Sequence, residues 1–124
     1  MTMRGSIAAA QIGSPLIEAD GTSVLQFRFA KEDPTFAGHF PMRPVLPGVF
    51  QIAMAHAAAE QVLNDSLALR EISKAKFLRP ILPEEIVQLN LKLSEKNNGI
   101  LARAIFSVGG RAAGDTLLVL WRNG

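Results

Sequence analysis

Val87, Leu89, Leu91 and Leu93 alternate with Gln88, Asn90, Lys92 and Ser94, the pattern of a strand with one dry and one wet face. Asn97-Asn98-Gly99 then turns the chain. Ile100 to Val108 and Thr116 to Trp121 supply two further strands, separated by the glycine-rich stretch Gly109-Gly110-Arg111-Ala112-Ala113-Gly114. That stretch lacks the strand-to-helix setting of a phosphate cradle and reads as a loop. Upstream, Ile7 to Ile17 and Val24 to Phe29 read as two extended runs joined through Glu18-Ala19-Asp20-Gly21, where Asp-Gly is a hairpin signal. Between these groups, Phe50 to Leu63 has only Gln51, His56, Glu60 and Gln61 as polar residues, and its alanines and Met54 favour a helix. A helix so nearly apolar all round needs other structure wrapped about it. Asn64-Asp65-Ser66 ends it. The elements predict an α+β fold in which an antiparallel sheet curls around one central helix, with residues 1-124 forming a single domain.

The segment before that helix carries the candidate chemistry. Phe36-Ala37-Gly38-His39-Phe40-Pro41-Met42-Arg43-Pro44-Val45-Leu46-Pro47-Gly48-Val49 sets a histidine in a proline-stiffened loop. Each proline fixes its own φ and bars the residue before it from the helical region. Pro47-Gly48-Val49 then opens the helix, whose first N–H groups lack intrahelical partners and carry the positive end of the macrodipole. A proton acceptor thus stands beside a place for a developing oxyanion, and an unperturbed imidazole, titrating near about 6.5, accepts a proton at neutral pH.

Composition narrows the alternatives. A chain of 124 residues needs one core only. Cysteine is absent, which removes disulfides, thiolate metal sites and cysteine nucleophiles. The formal charge of +2 is spread without a basic stripe, which argues against nucleic-acid binding. The N-terminus lacks the apolar core of a signal peptide and no stretch approaches a membrane span, so a cytoplasmic location is expected.

The motif Gly38-His39-Phe40-Pro41, Pro44 and Pro47-Gly48-Val49 resembles that of the short bacterial 3-hydroxyacyl-acyl-carrier-protein dehydratases and their hot-dog-fold relatives. Phe77-Leu78-Arg79-Pro80-Ile81-Leu82-Pro83 is similar to that family's downstream F-x-x-P-x-x-P strand end, with Glu84-Glu85 where Gly-Asp often follows. The resemblance implies a hot-dog fold and His39 as the base that removes the α-proton of an acyl thioester. It also implies a dimer, or a trimer of dimers, with each site at the interface between protomers. Gly48 and Val49 N–H groups are the candidate donors to the enolate oxygen, and glycine permits its close approach. Phe40, Phe50, Phe36 and Met54 are candidate lining for an acyl tunnel, or ordinary core. The reading calls for no cofactor and no metal.

One departure outweighs the matches. Four residues after Val49, where the family pattern has Glu or Asp, this chain has Ala53. The carboxylic acid there protonates the departing hydroxyl in the family, and alanine cannot. A general acid contributes about two to four orders of magnitude in rate, roughly 3–5 kcal/mol of barrier. His56 and Glu60, one and two turns further along the helix, are the candidate stand-ins, His56 first. The alternative for His56 is contact with a neighbouring strand, and for Glu60 an exposed helix end. Arg70, Lys74, Lys76 and Arg79 cluster, and with Arg43 offer a docking surface for an acidic acyl carrier protein, or a solvated face.

Three functions follow. The first is a lyase acting on 3-hydroxyacyl thioesters of a carrier protein or coenzyme A, in fatty-acid or polyketide/polyene-type synthesis. The second is an inactive or impaired carrier-binding subunit paired with a homologue that supplies the carboxylate. The third is a hot-dog acyl thioesterase.

Overall fold

Thr2 begins the first regular element. Its side-chain hydroxyl accepts from the Gly5 N–H at 2.9 Å, and α1 (Met3–Ala10) follows. The extended run expected from Ile7 is therefore wrong for its first four residues. A capping threonine and the Ala8-Ala9-Ala10 run favour the helix, which buries Ser6, Ile7 and Ala10 on one face. The computed structural model describes residues 2–36 and 44–123.

The strands β1 (Gln11–Ile17) and β2 (Ser23–Arg28) form the hairpin announced by Asp20-Gly21, with Gly21 at a φ of 88°. A 3₁₀ turn, Pro34–Phe36, leads toward the histidine loop, and α2 (Gly48–Leu63) emerges after it. Asn64 ends α2 in the left-handed conformation, and the Asn64 and Asp65 N–H groups return to Gln61 O and Glu60 O. The remaining strands are β3 (Leu67–Phe77), β4 (Ile86–Lys96), β5 (Gly99–Val108) and β6 (Arg111–Arg122). Described strands pair antiparallel in the order β1-β2-β4-β5-β6-β3. This is the α+β hot-dog fold, a six-stranded sheet laid around one central helix.

Two turns differ in length from a sequence reading. Asn97-Asn98 alone spans β4 to β5, since Lys96 and Gly99 already pair. The expected loop Gly109 to Gly114 contracts to Gly109-Gly110, with φ of 57° and 79°, and Val108 pairs with Arg111 across it. Two successive positive φ values match the right-handed twist of the flanking strands, so two glycines suffice and Arg111 to Gly114 join β6.

The core lies between α2 and the inward face of the sheet. Val87, Leu89 and Leu91 of β4 are fully buried, as are Ala102, Ala104 and Phe106 of β5 and Leu118 and Leu120 of β6. From the helix come Phe50, Ile52, Met54, Ala55, Ala58 and Ala59. The alanines let the helix sit close to the strands, and α2 packs on β3, β4, β5 and β6. β1 and β3 are left as the two edges of the sheet. Register shifts between Leu69 and Glu71 and between Ile72 and Lys74 interrupt β3.

Leu89 pairs with Leu25 on one side and Phe106 on the other. Truncation of Leu89→Ala should therefore cost about 2–5 kcal/mol in the free energy of denaturant unfolding, because neighbours held on both sides cannot close the cavity.

Candidate active site at the start of the central helix

The start of α2 is placed by its neighbours on both sides. Leu46, buried, donates its N–H to Ile81 O at 2.8 Å, which ties the end of the proline-rich loop to the segment after β3. Pro47 occupies the N-cap, and no side chain caps the helix. The N–H groups of Gly48 and Val49 precede the first intrahelical bond and carry the positive end of the dipole. Val49 is 55% exposed, so this end faces outward. Phe77, at the end of β3, lays its ring on Gly48, where an added Cβ would come within 2.8 Å of the ring.

Gln51 is the residue that sequence reasoning missed. It is buried, 3% exposed, in the first turn of α2, and its Oε1 finds no hydrogen-bond partner among the described residues. The carboxamide fills the space that a Cβ on Gly114 would need. An unmet buried acceptor costs about 1–3 kcal/mol. The available signal was a glutamine in the first turn of a helix whose other polar residues begin only at His56. Ala53 is partly buried and packed against the core. Phe36, Phe50 and Met54 are buried members of the same core, and Phe29 meets Phe50 edge-on with ring centroids 6.0 Å apart.

His56 and Glu60 lie at the far end of the helix. His56 Nε2 is 2.7 Å from Leu67 O, where β3 begins, and 3.7 Å from Glu60 Oε2. Glu60 accepts from the Leu67 N–H at 2.8 Å and from Arg4 of α1 at 2.6 Å. Burial pushes its carboxyl up, but the Leu67 N–H and the Arg4 guanidinium outweigh burial and hold it below the ordinary carboxylate range. The pair thus clasps α1, α2 and β3 together. Glu60 is not the exposed helix end of one sequence reading, and His56 makes the strand contact.

The 3₁₀ turn before the histidine loop is anchored from α1. Asp33 accepts from the buried Ser6 hydroxyl at 3.1 Å and from the Thr35 N–H at 2.8 Å, and these bonds prevail over burial to keep its pKa low. His39, Phe40 and Arg43 themselves lie outside the described residues.

The basic cluster divides. Arg70 stacks over Trp121 with its guanidinium carbon 4.4 Å from the ring centroid, and Lys74 pairs with Asp115 at 2.8 Å. Burial raises the Asp115 carboxyl, yet Lys74 and Arg103 together bring it below its usual value. Lys76 and Arg79 are exposed, and the Arg79 N–H donates to Ala113 O of β6 at 3.3 Å. Apolar side chains are exposed in and after β3, at Ile72, Phe77, Leu78 and Leu82, and Val49 is exposed at the start of α2. Among the described residues there is no group of three or more potential metal ligands, and no helix is long and apolar enough to cross a membrane.

Comparison with known proteins adds the following. The ApeI-like family, ApeI dehydratase, matches residues 17–114. A 3-hydroxyacyl-[acyl-carrier-protein] dehydratase FabZ of Haemophilus influenzae is 34% identical over 100 residues, 73% of this chain and 67% of that protein. One from Histophilus somni is 35% identical over 100 residues, covering 73% of this chain and 66% of the relative. Among solved structures, the dehydratase heterocomplex ApeI:P from Xenorhabdus doucetiae superposes with a TM-score of 0.76 at 26% identity, over 90% of this chain and 96% of that one. A hypothetical thioesterase with coenzyme A from Streptococcus pneumoniae shares the fold at a TM-score of 0.72, with 8% identity over 98% of this chain and 94% of its own.

The Glu60 clasp generates a pH prediction. A carboxyl whose folded pKa lies below its ordinary value of 4.5 adds stability that is complete above that value and is lost as pH falls through the folded pKa. Glu60→Gln should therefore lower the melting temperature at neutral pH, by the equivalent of about 1–2 kcal/mol. It should also flatten the acid limb of a plot of melting temperature against pH.

Proposed function

This chain belongs to the ApeI-like dehydratase family, and from that membership we propose that it serves a 3-hydroxyacyl thioester dehydratase, with His39 as the base and the acid supplied from outside its own α2. The observation that carries the second half of this reading is the state of the helix. Glu60 is the only carboxylate in α2, and it is spent on Arg4 and the Leu67 N–H. His56 is held at Leu67, and position 53 presents a methyl group. None of the three is set to protonate a leaving hydroxyl beside Gly48 and Val49.

The chemistry then divides as follows. The thioester carbonyl oxygen accepts hydrogen bonds from the Gly48 and Val49 N–H groups, which are fixed before the reaction and need no reorganisation as charge develops. His39 removes the α-proton, and the 3-hydroxyl leaves as water after receiving a proton. A homologous partner chain bearing Glu or Asp at the equivalent of position 53 supplies that proton across a shared interface. The exposed edge of β3, with Val49, Ile72, Phe77 and Leu78 beside the start of α2, is where such a partner brings its helix within reach. The solved heterocomplex ApeI:P supports an assembly of this kind. Arg79, exposed after β3, is the proposed contact for an acidic acyl carrier protein, with Arg43 as its companion. Phe40 is the proposed residue of that motif for contact with the acyl chain.

The carrier-bound 3-hydroxyacyl thioester is the substrate class to test, with free coenzyme A thioesters as comparison. Enoyl thioester and not free acid is the expected product, which separates dehydration from thioester hydrolysis. His39→Ala should abolish turnover by any assembly whose only histidine base is this one. Ala53→Glu should raise the activity of the chain on its own by about two orders of magnitude, read by formation of the enoyl thioester. An unchanged rate in Ala53→Glu, with the helix intact, would overturn the reading of an assembled site that lacks its acid.

A further inference from the structure

The first turn of α2 is keyed to the sheet by two contacts that run in opposite directions. β3 sends the Phe77 ring onto Gly48 of the helix. The helix sends the Gln51 carboxamide onto Gly114 of β6. Phe77 and Gly114 are partners in the β3–β6 ladder, so both keys engage at one level of the sheet. Gln51 follows Gly48 by three residues and shares its side of the helix. In each contact a side chain fills the space where the opposing residue has no Cβ, and neither glycine has a positive φ. Backbone conformation therefore does not explain Gly48 or Gly114, whereas close approach does.

Stability does not explain Gln51. Among the described residues its Oε1 is buried with no hydrogen-bond partner, and the Thr116 hydroxyl, two residues beyond Gly114 on the same face of β6, is likewise buried without one. An apolar side chain in the helix would avoid the unmet acceptor. The end group of a glutamine is flat and slots between strand and helix at one depth. We propose that Gln51 is a positioning residue, which by seating its carboxamide on Gly114 sets how far the start of α2 stands from the sheet, and so where the Gly48 and Val49 N–H groups meet the thioester oxygen. This rests on the dehydratase reading above and names a residue that acts through the backbone donors.

A double-mutant cycle on whichever assembly shows wild-type turnover tests it. Gly114→Ala places a methyl group where the carboxamide lies, and Gln51→Ala empties the slot. Each should lower kcat about tenfold with KM within about twofold, since a displaced donor weakens transition-state binding and leaves ground-state binding nearly intact. The pair should be no worse than either single change, because the two residues act as a unit. Thermal melts should show the opposite pattern of rescue: Gly114→Ala lowers the melting temperature, and adding Gln51→Ala restores part of it by removing the collision. Wild-type kcat in Gln51→Ala, or additive losses in the pair, overturns the proposal. If Gly114→Ala does not fold, Gln51→Ala alone decides through its kcat and KM. A wild type without thioester turnover in any assembly removes the dehydratase reading, and this inference with it, whereas an active wild type with indifferent variants removes this inference only.

Discussion

Everything in this fold follows from burying a helix that has almost no wet side. Seven of the residues of α2 are buried, from Phe50 to Ala59, and only a sheet that curls past the helix on several strands can cover them. The sheet answers with β4, β5 and β6, whose inward residues include Val87, Leu89, Leu91, Ala102, Ala104 and Leu118. Small residues on both sides bring the two layers together, and dense packing leaves the helix little freedom to slide. Its outward-facing start is then fixed in space, and the site inherits that rigidity.

The two ends of α2 have separate duties. At the far end, charge and hydrogen bonds hold it: Arg4, Glu60, His56 and the backbone of Leu67 join the N-terminal helix to the first residue of β3. At the near end, contacts without charge hold it, through Phe77 on Gly48 and Gln51 on Gly114. The division suits catalysis by backbone dipoles. Among the described residues no side-chain acceptor caps the near end and competes for the first N–H groups, while Glu60 and His56 are held at the other end.

Much of the architecture was legible in the sequence, because period-two alternation in β4 and an apolar helix admit few arrangements. Helix α1 was not, since a run of small residues with one threonine before it has almost no periodicity to read. The Gly109-Gly110 turn was legible as a turn but not in its length, for glycines that form a turn and glycines that pack in a strand look alike until register is known. The same ambiguity hid Gly114. At the site, the motif pointed to Gly48 and Val49 and to the significance of Ala53, yet it assigned His56 a part in the chemistry that its bond to Leu67 competes with. Gln51 was passed over because spacing marks a polar residue in an apolar helix but does not tell whether its side chain turns inward or out.

Along β1, Pro15 lacks an amide hydrogen and Gly13 turns to a φ of 71°, and the ladder slips between Ile12 and Leu16. No unbroken row of donors and acceptors remains there for another chain to copy. An irregular margin of this kind gives a neighbouring molecule no regular strand to extend, so the β1 side of the sheet is protected against edge-to-edge growth into a fibre.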